Sequence, residues 1–219
     1  RDLCEGNTYP LFVVSIIEEN YENKKISATE FVFQNMENDG GRYVLNYSYH
    51  GKYIVSAEIG GDWETDEFRF RCRVKNNTNA LIEWVEYPGL SWKDDLDGSR
   101  NSQMLWLFNE GALVSYNKDK MWPYEDPGYP SWGSFGIYPN IVESQFMAYL
   151  YKDGGLYIGC HDKDDNVKQL DFYHKDDRIK LQLRFYSGVD YGEDFSMDFD
   201  AVFCFFKGEW QDACEIYRR

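Results

Sequence analysis

The chain has 219 residues, of which 43% are hydrophobic and 18% aromatic, enough to bury the core of one large all-β domain or of two small domains. This composition excludes an intrinsically disordered acidic chain. The 38 acidic residues outnumber the 23 basic ones and no basic stripe occurs, which argues against binding to nucleic acid. No run of about 18 apolar residues occurs, so the sequence predicts no membrane-spanning helix.

Apolar and polar residues alternate along several short segments, as expected of strands that bury one face. In residues 67–76 the even positions 68 to 74 are Phe, Phe, Cys and Val, and the positions between them are Arg. Turn sequences such as Asn38-Asp39-Gly40-Gly41 separate these segments. The predicted strands are 11–17, 28–34, 42–49, 52–59, 67–76, 80–87, 103–108, 111–116, 145–151, 155–161, 167–173, 178–186 and 200–206. Many short strands separated by turns favour an all-β sandwich.

The segment Lys120–Pro139 has no helical or strand period, yet it holds four of the six prolines and five Trp or Tyr residues. Prolines can hold exposed rings in place because they fix φ. Trp and Tyr combine an apolar face with a polar edge, which suits a sugar. We therefore predict that this aromatic segment binds a ligand, and its candidate rings are Trp122, Tyr124, Tyr129, Trp132 and Tyr138. The alternative is that the rings pack onto the sandwich or onto a neighbouring domain.

The candidate rings differ in their surroundings. Trp132 stands between Ser131 and Gly133, which offer no apolar neighbours, so we expect it to be exposed. Trp122 and Tyr138 lie nearer the flanking strands, and we expect them to anchor the segment. Long irregular loops in compact domains are usually functional, which favours the ligand-binding interpretation.

The last residues carry a helical pattern. Trp210, Ala213, Cys214 and Tyr217 fall at i, i+3, i+4 and i+7, which predicts a short helix with one apolar stripe. We expect Trp210 to dock on the sandwich and Tyr217 to be exposed. The helix either caps the sandwich or connects it to another domain.

Metal-binding patterns are weak. His161, His174 and Asp162 lack the close spacing of zinc ligands. The run that starts at Asp162 begins like a calcium loop, but it has Val167 where Gly is required and Tyr173 where Glu is required. It is predicted to be a polar hairpin turn between two strands. The sequence therefore predicts no metal and no cofactor.

Catalytic and redox patterns are also missing. The acidic pairs Glu125-Asp126 and Glu193-Asp194 are predicted to be surface acids or to order their loops, and no catalytic residue is assigned. The five cysteines are odd in number and form no CxxC pair, so a disulfide framework is not expected. Unpaired cysteines favour a cytoplasmic location.

Three stretches taken in order carry a resemblance, namely "FRFRCRVKNNTNALIEWVEYPGL", "GGLYIGCHD" and "GEWQDACEIYRR". Together they resemble the N-terminal, galactose-mutarotase-like β-supersandwich of glycoside hydrolases related to the endo-α-N-acetylgalactosaminidases. The resemblance covers about residue 60 to the end, and the first sixty residues fit only as generic strands.

The resemblance implies a β-supersandwich over 1–206 and a helix over 207–219 that leads into a (β/α)₈ barrel bearing the catalytic carboxylates. It implies a non-catalytic, carbohydrate-facing accessory domain that shares its sugar with the barrel, without hydrolytic activity of its own. One alternative is a free-standing aldose mutarotase that uses His161 or His174 with a nearby carboxylate, and another is a purely structural domain. We expect a monomer that binds neither nucleic acid nor a membrane.

Overall fold

A computed structural model describes residues 9–62, 64–93, 96, 98, 102–108, 111–115, 136–175 and 178–219. In this part of the chain the strands are β1 (Val13–Ile17), β2 (Asn23–Ser27), β3 (Val32–Asp39), β4 (Arg42–Tyr49), β5 (Tyr53–Asp62), β6 (Glu67–Asn76), β7 (Leu81–Glu86), β8 (Ser91–Lys93), β9 (Gln103–Phe108), β10 (Ala112–Ser115), β11 (Ile137–Tyr138), β12 (Val142–Tyr151), β13 (Gly154–Cys160), β14 (Lys168–Lys175), β15 (Arg178–Tyr186), β16 (Phe195–Ser196) and β17 (Ala201–Lys207). A helix, α1 (Trp210–Tyr217), follows β17. Within the described residues, no helix is long and apolar enough to cross a membrane.

The strands form two antiparallel sheets. The smaller sheet has the order β11-β14-β15-β7-β1-β2, and β8 pairs with β15. The larger sheet has the order β10-β9-β12-β13-β17-β6-β5-β4-β3, and β16 pairs with β6. The main core lies between the sheets, and it includes Phe12, Trp92, Tyr149 and Leu181, all fully buried. The prediction of an all-β sandwich with a short C-terminal helix is confirmed.

The alternation in β6 decides which of its faces is buried. Cys72 and Val74 are fully buried and Phe70 is nearly so, in the core between the sheets. The arginines at the alternate positions lie on the opposite face of the larger sheet, which we call the outer face. The alternation therefore places a row of arginine side chains on the outer face of β6.

The strands that sequence reasoning missed are short or lack alternation. β2 buries one of its five residues, Ile26, and β8 and β16 have three and two residues. The predicted strand 28–34 is divided in the structure. Ala28–Glu30 forms a single 3₁₀ turn that Ser27 and Glu30 close with a capping box, and β3 begins at Val32.

β3 forms the edge of the larger sheet next to β4, and all eight of its residues are exposed. Its register with β4 shifts between Phe33 and Asn35, as in a β-bulge. A bulge at a sheet edge hinders further strand pairing.

α1 packs on the outer face through a different stripe from the one predicted. Ala213 and Ile216 are buried, whereas Trp210 is 41% exposed. Tyr217 is partly buried, with its ring centroid 4.8 Å from that of Phe146 in β12. The predictions that Trp210 docks and that Tyr217 is exposed were wrong, because Ile216 rather than Trp210 completes the buried stripe. Gly208, at φ +113°, turns the chain into α1, and a Cβ there would lie 2.1 Å from Asp212 Oδ2.

This packing gives a measurable asymmetry between two residues of α1. Ile216→Ala should lower the free energy of unfolding by about 2–4 kcal/mol, because it opens a cavity in a buried cluster. Trp210→Ala should cost less than about 1 kcal/mol, as at exposed sites. Urea unfolding of both variants measures the difference. A larger loss for Trp210→Ala than for Ile216→Ala would contradict the observed orientation of the helix.

Candidate functional site

Of the five candidate ligand-binding residues, Tyr138 belongs to the described chain, whereas Trp122, Tyr124, Tyr129 and Trp132 lie outside the described residues. Tyr138 lies in β11, where it pairs with Lys168 of β14. Its side chain is 9% exposed, and its hydroxyl donates to Asp165 Oδ1 at 2.5 Å. Burial and the hydrogen bond to Asp165 raise the pKa of Tyr138 to about 12. The structure thus places Tyr138 as a buried anchor near the end of the aromatic segment.

The anchor belongs to a polar group that we call the Lys168 cluster, made of the buried Lys168, Asp162, Gln145 and Tyr138 and of the exposed Asp165. Lys168 is fully buried, and its Nζ donates to Asp162 Oδ2 at 2.7 Å and to Gln145 Oε1 at 2.9 Å. The Nζ also lies 4.8 Å from the centroid of the Tyr138 ring. Gln145 Nε2 in turn donates to Asp165 Oδ1 at 3.2 Å. Each buried charge therefore has an oppositely charged or polar partner.

Asp162 is ionised in this cluster. Burial alone would raise the pKa of its carboxyl group, but the hydrogen bond and charge of Lys168 together with two backbone hydrogen bonds outweigh burial and lower the pKa. The backbone N–H groups of Asp164 and Asn166 also donate to the carboxylate, at 2.9 and 2.8 Å. These donors contact both carboxylate oxygens, so Asp162 fixes the start of the segment that follows β13.

The chain segment that follows β13 changes sheets. Residues 161–167 run from β13 in the larger sheet to β14 in the smaller one, so the predicted polar hairpin turn is instead a crossing between sheets. This crossing separates the strands of the two histidines considered as metal ligands. His161 follows β13, whereas His174 lies in β14. Among the described residues, no group of three His, Cys, Asp or Glu residues could hold a metal ion.

A cleft of about 460 Å³ opens on the outer face beside α1, and we call it the helix-side cleft. Its lining includes Glu67, Arg69, His161, Cys204 and Glu215. His161 Nε2 lies 3.1 Å from the Tyr157 hydroxyl. Burial lowers the pKa of His161, although the Glu67 carboxylate opposes the effect, so the imidazole is neutral at pH 7. Burial raises the pKa of Cys204 to about 11, which keeps it a thiol.

Next to this cleft, Asp200 is bound by arginines of β4 and β6. Arg42 donates to both of its carboxylate oxygens, at 3.1 and 3.0 Å, and Arg71 Nε donates to Oδ1 at 3.1 Å. Arg69 lies 3.6 Å from Oδ2. Burial by itself would raise the pKa of Asp200, but Arg42 and its neighbours outweigh it and lower the pKa. We call this group the Asp200 network, and it links β4 and β6 to the residue that precedes β17 on the outer face of the larger sheet.

The acidic pair Glu193-Asp194 orders the loop in which it lies. Glu193 Oε2 accepts the backbone N–H of Asp190 at 3.0 Å. Asp194 Oδ1 accepts the backbone N–H of Asn76 at 2.7 Å. Glu125 and Asp126 lie outside the described residues. The Lys168 cluster and the Asp200 network escaped sequence reasoning because no local motif links their members. Asp200 lies 158 residues from Arg42, and Lys168 lies 23 residues from Gln145.

Comparisons with known proteins bear on the fold. A scan against protein-family models finds no match, and a search of curated proteins finds none. Among solved structures, the chain is similar to the α-N-acetylgalactosaminidase NagBb from Bifidobacterium bifidum in its GalNAc complex, with a TM-score of 0.63 and 14% identity. It is also similar to the GH36 α-galactosidase AgaA from Geobacillus stearothermophilus, with a TM-score of 0.54 and 8% identity. These likenesses establish the fold.

The matches cover most of this chain and a minor part of the other chains. They span 97% of this chain and 33% of the NagBb chain, and 89% of this chain and 30% of the AgaA chain. The galactosidase domain of the α-galactosidase-sucrose kinase AgaSK gives the same shares of 89% and 30%, with a TM-score of 0.52 and 10% identity. The chain thus spans about a third of the length of the glycosidases that it matches.

Proposed function

We propose that this chain is a galactose-mutarotase-like β-supersandwich that serves a glycoside hydrolase as a non-catalytic, carbohydrate-facing domain. In this proposal α1 connects the sandwich to a catalytic (β/α)₈ barrel, and the sugar is shared between the two. The proposal places no catalytic residue and no cofactor in the sandwich.

The observation that carries the proposal is the fold likeness to about a third of several glycosidase chains, over nearly the whole of this chain. One of those structures is an α-N-acetylgalactosaminidase in complex with GalNAc. A similar domain occurs in each of these chains, and most of each chain lies outside it. This arrangement fits an accessory role for the domain better than an independent activity.

The aromatic segment is the proposed sugar-facing element. Its last residues, Tyr138 and Pro139, are fixed to the sandwich by the Lys168 cluster and by the pairing of β11 with β14. An anchored end lowers the conformational entropy that ligand binding costs, which supports a binding role. Trp122, Tyr124, Tyr129 and Trp132 are the proposed contacts, with Trp132 as the foremost.

We expect the chain to bind galactose or N-acetylgalactosamine, and Trp132→Ala to weaken that binding by roughly three- to tenfold, the worth of one ring contact. Isothermal titration of both sugars into each variant measures the effect. Trp210→Ala is the matched control, because it removes a Trp that is 41% exposed on α1. Equal affinity in the wild type and in Trp132→Ala would contradict the sugar-facing role. No binding of either sugar would favour a purely structural domain.

The wild-type chain can also be assayed for glycoside hydrolysis. We expect no hydrolysis of aryl α-galactosides or aryl α-N-acetylgalactosaminides by the chain alone. Hydrolysis that survives repurification and disappears in Glu125→Gln or Glu193→Gln would overturn the non-catalytic assignment.

A second candidate, an aldose mutarotase, is favoured by one observation. The helix-side cleft brings the neutral His161 together with the carboxylate of Glu67 and the guanidinium of Arg69. A histidine and a carboxylate in one cleft are what proton transfer to and from a sugar ring requires. Polarimetry of α-galactose measures this activity. Mutarotation that the chain accelerates, and that His161→Ala no longer accelerates, would support this candidate over the accessory role.

A further inference from the structure

One end of the sandwich opens into a second cleft, of about 750 Å³, which we call the sandwich-end cleft. Three connections form its walls: the β1–β2 turn with Glu18 and Glu19, the β4–β5 turn with His50, and the β6–β7 connection with Thr78. The volume lies in the range of small-molecule sites. None of these residues belongs to the aromatic segment or to the helix-side cleft.

The three walls are tied to one another. Lys24 Nζ of β2 donates to the Tyr49 hydroxyl of β4 at 2.8 Å and so bridges the two sheets. Asn77 joins the other two walls, because its backbone N–H donates to the Lys52 carbonyl at 2.8 Å and its Nδ2 to the Gly51 carbonyl at 2.9 Å. Such ties hold the cleft in one shape before any ligand arrives, which reduces the entropy that binding costs.

Aromatic side chains form one side of the sandwich-end cleft. The ring of His50 meets that of Tyr49 edge to face, with centroids 4.5 Å apart. Tyr53 lies at the floor, 3% exposed, with its hydroxyl 3.1 Å from Thr78 Oγ1. Exposed His50 has φ of +50°, in the left-handed region that a residue with a Cβ rarely adopts. The turn thus presents an imidazole at the mouth of the cleft at some conformational cost.

The charged side chains of the lining are balanced in number. Glu18 and Glu19 are matched in number by Lys24 and Lys52, so the cleft has no excess of either sign for an anion or a cation. The hydrogen bond from Lys24 to Tyr49 raises the pKa of the lysine, which stays charged at neutral pH. Carboxylates and ammonium groups that lie beside rings can bind hydroxyl groups while the rings cover an apolar face.

We infer that the sandwich-end cleft binds a neutral saccharide, as a second carbohydrate site separate from the aromatic segment. The saccharide class rests in part on the proposed function, while the location rests on the geometry of the cleft alone. In the bound state, a pyranose ring lies against His50 and Tyr49, and its hydroxyl groups bond to the acidic and basic side chains of the rim.

The experiment follows the backbone amide signals of isotopically labelled chain by NMR during titration with galactose, N-acetylgalactosamine and glucose. We expect the signals of Gly51, Lys52 and Asn79 to shift. His50→Gly removes the imidazole at a position whose positive φ favours glycine, so the fold is retained. It should weaken binding at these amides by roughly threefold or more, the worth of a ring contact. The matched control is Tyr43→Ala, which removes an exposed ring of β4 that lines neither cleft and should leave these shifts unchanged.

The outcomes separate this inference from the proposed function. Sugar-dependent shifts confined to residues outside the sandwich-end cleft, lost in Trp132→Ala and unaffected in His50→Gly, would overturn the second site and leave the proposed function standing. Shifts at Gly51, Lys52 and Asn79 that persist in Trp132→Ala support the second site even if the aromatic segment binds nothing. The absence of any shift with all three sugars would overturn both.

Discussion

Lys168→Met should destabilise the chain by about 3–5 kcal/mol, because it leaves the Asp162 carboxylate buried without its cation. The two side chains are 0% and 2% exposed, and their charged atoms are 2.7 Å apart. Water therefore cannot replace the lost ammonium without opening the crossing between the two sheets. Urea unfolding, monitored by tryptophan fluorescence, measures the change.

A double-mutant cycle isolates the pair. Asp162→Asn alone should also destabilise, whereas the double variant Lys168→Met/Asp162→Asn should cost less than the sum of the two. The surface pair Arg218–Glu215, with side chains 74% and 61% exposed, is the matched control, and Glu215→Gln should leave the unfolding midpoint unchanged. A loss below about 1 kcal/mol for Lys168→Met, typical of an exposed site, would show that the lysine is not buried with Asp162.

Asp200→Asn should cost about 2–3 kcal/mol at pH 7, since it removes the charge that three arginines share. The cost is smaller than at Lys168 because Arg42 and Arg71 are 29% and 28% exposed, and water can solvate them in part. The arginines hold the pKa of Asp200 below its ordinary value in the folded chain. A lowered folded-state pKa gives stability that is complete above the unfolded-state pKa and is lost as the pH falls through the folded-state value.

The difference in stability between wild type and Asp200→Asn should therefore narrow as the pH falls from about 5 towards 2. Unfolding curves at a series of pH values measure this narrowing. Asp198→Asn is the matched control, two residues away and exposed, and should behave as the wild type does. A difference that stays constant down to the lowest pH would mean that the Asp200 carboxylate is not stabilised by its arginines.

The alternating strands could be predicted from the sequence because their pattern is local. β4, β6, β9 and β15 were predicted with the bounds that the structure shows. β2 escaped because Lys24 and Lys25 face solvent and Ile26 alone is buried, so no period appears. The predicted orientation of α1 was wrong. The helical period places Trp210 and Tyr217 on one stripe, but packing against the side chains of the larger sheet buries Ile216 instead of Trp210.

The candidate site was harder to predict than the fold. The arginines of β6 were visible as a row, but their partner Asp200 is 129 residues from Arg71 and lies just before another strand. Lys168 looked like one more polar residue at the start of a strand, and nothing nearby marks it as buried. The sandwich-end cleft combines three connections from separate parts of the chain, and no local sequence pattern links them.

The strand order of the sheets has a consequence for synthesis on the ribosome. β6 can pair with β5 as soon as both strands are synthesised, whereas its other neighbour, β17, is synthesised much later. In the same way, β1 can pair with β7 only after the strands between them have been synthesised. At 5–20 residues per second, the far edge of β6 stays unpaired for roughly ten seconds after it emerges. During that interval Arg71 lacks Asp200, its ion-pair partner in the folded chain. Because charged side chains on an unpaired strand disfavour pairing with other chains, we expect the arginines that later bind Asp200 to protect the nascent strand as well.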